Sequence, residues 1–391
     1  MQTVLASANS DAQLLLQNQA ATYLANHPMY LPLFDKLEFR FGPDDLYFDE
    51  QRIAFRFSTN GFSEIKKQRA LHDAELMRLQ TEAAVLREEA LLKRYLTLAD
   101  AYFYRQLAQS QSRLAQLEDE RSQIFGFLID KGVVVDAVKL VEAEEDWQDS
   151  RSKVREWESK TALLLERIQQ YTGQRSAIQL DLKGFVNVAQ IALQVSEIDT
   201  AMAPTAELAL KIVESRVAEA EWRVTLSSKF NVLNFVQIDY RDRPEPFAFE
   251  RDFSARIGLN IPIAGRDKPK EREQALKWRL ADNDAQAELA SQQQQFDLQR
   301  SKVQKLIALY QADQSRWQQS AIRKLLANDA LLAQLGGDDL LQLQIAREKQ
   351  NLREIEQAYD ITIAYVEWLQ LSGALNTKVL RNYLSEGKEQ F

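Results

Sequence analysis

In Leu33–Phe41, LFDKLEFRF, the apolar Leu37, Phe39 and Phe41 alternate with Lys36, Glu38 and Arg40, and a little further on Ile53, Phe55 and Phe57 alternate with Arg52, Ala54 and Arg56. Successive side chains of a strand point to opposite faces, so these runs read as a hairpin with one apolar and one charged face. A second pair obeys the same rule. Phe230, Val232, Val236, Ile238 and Tyr240 fall on even positions, and Ala255, Ile257, Leu259, Ile261 and Ile263 on odd ones. The predicted turns are GPDDLYFDEQ (42–51) and RDRPEPFAFERD (241–252). Each strand has about nine to eleven residues, the length a tilted membrane-spanning strand needs. A lone hairpin is marginal in water, and open edges invite further pairing. Four strands are too few for a closed barrel, whose usual minimum is about eight, whereas three chains supply twelve. The arithmetic favours a homo-oligomer.

Around these hairpins the chain reads as helix. Its prolines are Pro28, Pro32, Pro43, Pro204, Pro244, Pro246, Pro262 and Pro269, leaving 44–203 and 270–391 without one. A helix-interior proline costs about 3 kcal/mol, so two such voids predict two long helical stretches. The glycines within them recur: Gly61 and Gly265 are 204 apart, Gly132 and Gly337 205, and Gly173 and Gly373 200. The last pair ends QQYTG (169–173) and LQLSG (369–373). The pattern predicts a tandem duplication of a unit of about 200 residues, far longer than a solenoid repeat. Apolar residues form heptad stripes, as Leu289, Phe296, Val303, Tyr310 and Trp317, and again as Ile345, Leu352, Tyr359 and Val366. A looser stripe runs through Val154, Trp157, Leu164, Ile168 and Tyr171. Such stripes suit long antiparallel helices packed side by side with wet outer faces. Sixty residues of helix span about 90 Å.

Composition removes much chemistry. The 391 residues carry 49 Lys and Arg against 57 Asp and Glu, a net charge of -8, no Cys and two His. An acidic chain lacks the basic footprint of a nucleic-acid binder. Without Cys there are no disulfides, thiol nucleophiles, thiolate metal sites or residue for a lipid anchor. His27 precedes Pro28 at a helix end and reads as a cap, and His72 reads as a surface residue. Acidic runs such as Glu142, Glu144, Glu145 and Asp146 are solvated helix faces rather than acid–base pairs. Gly336-Gly337 follows no strand and has no phosphate-loop Lys. No catalytic site, cofactor or metal site is expected. The opening MQTVLASANS carries Ala6-Ser7-Ala8, similar to the end of a secretory cleavage site with no apolar region before it. That leaves a cytosolic chain or a mature exported form with an added Met.

The ordered set of elements resembles the outer membrane efflux protein (TolC-like) family over roughly residues 10–375. The resemblance is carried by Pro28-Met-Tyr-Leu-Pro32 between first helix and first strand, ADAYFYRQL (99–107), LNIPIAG (259–265), GVVVDAVKLVEAEEDW (132–147) and GGDDLLQLQIAREKQN (336–351). It implies a mainly α fold with a small β part. Tandem-duplicated long antiparallel helices would form a helical barrel in the periplasm, and four strands per chain would join a shared twelve-stranded trimeric β-barrel in the outer membrane of a Gram-negative bacterium. It further implies a passive exit duct of a tripartite efflux pump or type I secretion system, not an enzyme. Its partners would be two further copies, a periplasmic adaptor (membrane fusion) protein, an inner-membrane transporter reached through the adaptor, and outer membrane lipid. No cofactor and no nucleic acid are implied.

The expected organisation is a first repeat over 1–173 (helix, β-hairpin 33–58, helical hairpin 62–173) and a linker over 174–198. A second repeat over 199–375 (helix, β-hairpin 230–263, helical hairpin 266–373) is followed by a tail over 376–391. Leu37, Phe39, Phe41, Ile53, Phe55 and Phe57 are the candidate lipid-facing residues. Gly126, Asp130, Gly132, Val133, Gly336 and Gly337, on helical turns opposite the hairpins, are the candidates for adaptor docking, because function concentrates at loop tips on rigid scaffolds. The resemblance sets Gln342 and Ile345 where members of the family ring the periplasmic entrance with aspartates, and Asp338 and Asp339 lie one turn earlier as substitutes. The turn segment 325–339 reads as longer than usual. Two alternatives stand beside the duct: a soluble coiled-coil scaffold or adaptor with hairpin tabs, and a relative that kept the helices but lost its membrane seat.

Overall fold

The computed structural model describes residues 1–28, 31–44, 47–173, 184–197, 203–227, 233–242, 253–259, 268–377 and 381–385, without the side chains of 43, 44, 47–51, 233, 234 and 242. The order is α1 (Gln2–Ala6), α2 (Ala12–Asn26), β1 (Phe34–Asp44), β2 (Tyr47–Thr59), α3 (Phe62–Asp130), α4 (Ala137–Thr172), α5 (Val188–Glu197), α6 (Ala206–Ser227), β3 (Leu233–Asp242), β4 (Phe253–Leu259), α7 (Lys268–Gln319), α8 (Ala321–Leu326), α9 (Asp329–Leu332) and α10 (Gly337–Leu371). The fold is mainly helical with one small antiparallel sheet. The succession of helix, hairpin, long helix and shorter helix occurs twice. With 69 residues, α3 is about 100 Å long. Residues 243–252 of the predicted second turn, 260–265 of LNIPIAG, and Phe230, Val232, Ile261 and Ile263 of the predicted strands lie outside the described residues, while Arg241 and Asp242 belong to β3. Helix α5 falls inside the segment read as linker.

The chain packs as two compact units, and neither is one of the repeats. One comprises 15–85 and 206–291; the other comprises 1–14, 86–205 and 292–391. The first holds the sheet, ordered β1-β2-β3-β4 with every neighbour antiparallel. Its helices bury small and branched side chains, among them Ala83, Leu208, Val213, Val217 and Ala220. Trp222 stacks on Trp278 with ring centroids 5.1 Å apart. Arg78 bridges Glu75 and Glu82, and Glu82 also accepts a hydrogen bond from Gln17. The second hairpin therefore joins the first in one sheet, which alternation alone does not dictate.

In the second unit the motif ADAYFYRQL is the packing centre. Ala99, Ala101, Phe103 and Leu107 are buried. The two alanines leave room for close helix approach, and Tyr102 stacks on Phe185 at 3.9 Å. From α10, Tyr365, Trp368 and Leu369 enter the same core. The Tyr359 hydroxyl donates to Asp100 at 2.8 Å. Burial pushes the Asp100 carboxyl above the ordinary carboxylate range, and the Tyr359 bond opposes that shift. The described residues near both ends pack into this unit. Val4, Leu5 and Ala8 are buried, and Arg94 of α3 bonds Ser7 Oγ at 2.9 Å and Asp11 at 3.3 Å. The segment read as a tail buries Asn382 and Leu384; Leu384 O accepts from Val186 N at 2.9 Å, and Tyr95 Oη donates to the Arg381 carbonyl. Both α4 and α10 end at a left-handed glycine, Gly173 (φ 65) and Gly373 (φ 71).

A polar knot crosses this unit. Glu118 on α3 is buried 3.5 Å from the Lys349 ammonium of α10, which also meets Asp146 of α4 at 3.1 Å. Gln111 donates to Ser150 beside it at 2.9 Å. Desolvation raises the Glu118 carboxyl above its ordinary value, Ser150 and Lys349 opposing it. A carboxyl whose folded pKa is raised favours the native state most below its unfolded value of about 4.3, and that contribution is lost as pH rises through the folded value. Glu118→Gln is therefore expected to raise the unfolding midpoint by a few degrees at pH 7.5, with the gain vanishing near pH 4. Paired thermal melts of variant and parent across that interval check it.

Candidate functional site

Within the sheet unit, register aligns the apolar side chains into three rows. Phe41, Ile53, Tyr240 and Phe253 form one; Phe39, Phe55, Ile238 and Ala255 the next; Leu37, Phe57, Val236 and Ile257 the third. Cross-strand aromatic pairs fix the rows, Phe39–Phe55 at 5.1 Å and Tyr240–Phe253 at 4.9 Å. Leu37, Phe39 and Phe41 are 62%, 60% and 61% exposed, so none of the described residues covers this face. Phe55 is exposed too, while Ile53 and Phe57 are half-buried between their neighbours. The candidate list missed Ile238, Phe253 and Ile257, all exposed on the same face. Their alternation was visible in the sequence, but the β2–β3 register that brings them onto this face was not.

The opposite face is charged. Glu38 lies between Lys36 (2.8 Å) and Arg40 (2.7 Å). Asp239 is fully buried; its Oδ1 accepts from Arg52 Nη2 and Gln237 Nε2, each at 2.8 Å, and its Oδ2 lies 3.6 Å from Arg256 Nε. The Arg56 guanidinium sits 3.8 Å from the centroid of the Phe235 ring, and Arg241 stands opposite Arg52 in register.

In the helical unit, α3 continues through Gly126 to Asp130, so Gly126 is a helix-interior residue rather than part of a turn. The turn itself is a Schellman closure: Gly132 N donates to Ile129 O at 2.9 Å and Val133 N to Leu128 O at 3.0 Å, with Gly132 at φ 71. Asp136 then caps α4 by accepting from Val138 N at 3.0 Å. Beside the candidate Val133, Val134 is 97% exposed, and Phe127 and Ile129 are exposed as well. No periodicity marks these side chains, because an exposed apolar residue at a turn has no pattern of its own. A groove of about 490 Å³ lies between the end of α3 and the start of α10, lined by Ile124, Phe127, Gly337, Leu340 and Leu341.

The second turn segment contains α8 and α9 before α10 begins. Gly336 is the N-cap of α10 with ordinary extended backbone, and Gly337 is its first residue. Asp338 is paired with Arg121, whose Nε lies 2.8 Å from its Oδ1, and its Oδ2 accepts a hydrogen bond from Gln342 Nε2 at 3.0 Å. Asp339 and Gln342 are exposed. Ile345 is buried with Leu107, Leu114 and Leu352, so it is a packing residue and lines no opening of this unit. Among the described residues no group of three His, Asp or Glu is placed to hold a metal, and no helix is long and apolar enough to cross a membrane. His27 Nδ1 bonds the Tyr23 carbonyl at 2.9 Å and the ring stacks on Tyr23, a helix-end role.

The two turns differ in what they demand of glycine. A side chain at Gly132 would sit in the left-handed region, whereas Gly336 has ordinary dihedrals and a Cβ there would meet only Asp339 Oδ2 at 3.6 Å. Gly132→Ala is expected to cost about 1 kcal/mol and Gly336→Ala a small fraction of that. Denaturant unfolding of both variants checks the contrast.

No family model and no curated protein sequence matches the chain. Solved structures do match nearly all of it. CusC, whose crystal structures describe transmembrane channel formation, superposes with a TM-score of 0.66 at 10% identity, covering 95% of this chain and 91% of CusC. The Neisseria gonorrhoeae MtrE outer membrane channel, in its open state, gives 0.59 at 13% identity over 95% of this chain and 86% of its own. The Campylobacter jejuni CmeC outer membrane channel gives 0.56 at 12% identity over 95% and 85%. Together with the two-faced sheet and the long helical hairpins, these likenesses establish that the chain has the fold of the outer membrane channels.

Proposed function

We propose that three copies of this chain close their sheets into one twelve-stranded barrel in the outer membrane, and that the chain is the passive exit duct of a tripartite efflux pump or type I secretion system. The observation that carries this reading is the uncovered apolar face of a four-stranded sheet. Twelve apolar side chains in three rows, backed by a charged face, have the alternation of a lipid-exposed barrel wall. The outer edges of β1 and β4 have no partner strand among the described residues, and closure with neighbouring copies satisfies them. Further exposed leucines on α7, including Leu276, Leu280, Leu298 and Leu309, offer apolar surface for subunit contact. A soluble scaffold gains nothing from either feature.

Adaptor docking is assigned to the helical turns. Val133, Val134 and the groove beside Phe127 and Gly337 supply an apolar contact surface, and Gly132 holds its shape. Opening is a population shift: an adaptor that binds the dilated state better than the closed one moves the equilibrium by its differential affinity alone. Asp338 and Asp339 lie at the start of α10 on the entrance side in this reading. The Arg121 and Gln342 contacts of Asp338 leave Asp339 as the carboxylate presented to solutes.

Light scattering of the purified protein is expected to give three chains per particle, held in solution by detergent. A monomer or dimer that is soluble without detergent would overturn the duct. Substitution on the wall is more specific. A charge on a barrel's lipid face costs about 2–4 kcal/mol near the bilayer midplane. Phe39→Lys is thus expected to abolish insertion into lipid vesicles while circular dichroism keeps the parent's helical content. Unchanged insertion would place this face away from lipid.

A further inference from the structure

We infer that the barrel wall is selective for anions, and that the cargo class it passes most readily is anionic. The inference rests on the reading of this chain as a barrel subunit and adds the sign of the charge that the lumen presents. If the rows containing Phe39 and Ile257 meet lipid, the alternate residues of the same strands meet the lumen, because side-chain direction has period two.

Among the described side chains that face carries six cations and two carboxylates, in a chain whose net charge is -8. The positive sign is therefore local to the described side chains of this face and opposite to that of the whole chain. Neither carboxylate is set alone on the wall. Glu38 is clamped by two bases, and fully buried Asp239 contacts Arg52 and Arg256. A passing cation thus meets no unneutralised acid on the described wall. A passing anion meets exposed ammonium and guanidinium groups, since Lys36, Arg40 and Arg256 are each more than half exposed.

Threefold repetition turns this excess into rings of positive charge. Rings of Arg and Lys are how anion pores select, and low-dielectric walls focus such a field into the passage. Screening at physiological ionic strength acts over about 8 Å, so the field is felt by solutes that pass close to the wall. Arginine suits the task because its charge persists at every working pH and its planar fork matches carboxylate and phosphate groups.

The test is the reversal potential of the full-length protein in a planar lipid bilayer under a potassium chloride gradient. The wild type is expected to give a chloride-to-potassium permeability ratio above unity. The double variant Lys36→Gln, Arg40→Gln, which leaves Glu38 without its clamp and halves the net positive charge of the described wall, is expected to lower the ratio toward unity. Both substitutions are on exposed side chains, and an unchanged detergent-solubilised oligomer mass shows that the variant still assembles. A wild-type pore that prefers potassium, or a chloride preference that the double variant leaves intact, would overturn the inference while the duct reading stands. Failure to form any pore would overturn the duct reading and the inference with it.

Discussion

The constraint on which the structure turns is the need to cover an apolar sheet face that none of the described residues covers. Phe39, Phe41 and Leu37 stand on strands whose other face is charged, so neither face can serve as the core of a soluble sandwich. Burial of large apolar side chains is the main favourable term available to a fold, and here a whole face of them is left over. The outer edges of β1 and β4, which have no partner strand among the described residues, set the same demand in hydrogen bonds. A lipid bilayer satisfies the first demand and neighbouring strands the second, which is why the proposed assembly answers both with one device.

The helical unit is built on a different economy. Its core is made where small residues let helices approach, at Ala99, Ala101 and Ala364, and where aromatic rings from distant segments fill the space between them. Several polar residues enter that interior in pairs: Asp100 with Tyr359, Gln111 with Ser150, Glu118 with Lys349. Such buried polar contacts add little net stability yet oppose sliding of one helix along another, because a slipped register strands each group without its partner. A long helical hairpin with a periodic stripe needs that register, since heptads repeat and alternative alignments bury similar area.

The charges divide by place. The chain as a whole is acidic, whereas the described side chains on the sheet's polar face are mainly basic. At the start of α10 Asp338 is already taken by Arg121, which leaves Asp339 as the exposed carboxylate of the pair. Under the proposed function, selectivity then moves from the helical end toward the strands.

Much of this was legible in the residues because it is local. Period-two alternation at 37–41 and 53–57 fixes a strand and its two faces without reference to the rest of the chain, and the proline-free intervals fix long helices through the cost of breaking them. Tertiary structure decided what depends on distant partners. Ile345 lies on the same kind of stripe as its neighbours, yet packing against Leu107 and Leu114 makes it core rather than lining. Asp338 loses its free charge to an arginine 217 positions away. Leu5 and Leu384, at opposite ends of the sequence, share one core, and the compact units cut across the repeats. The second hairpin's apolar residues fall on the first hairpin's face only through the β2–β3 register. A local pattern specifies which side of an element is apolar; which element meets that side is settled by the packing of the whole chain, where partners far apart in sequence compete for the same surface.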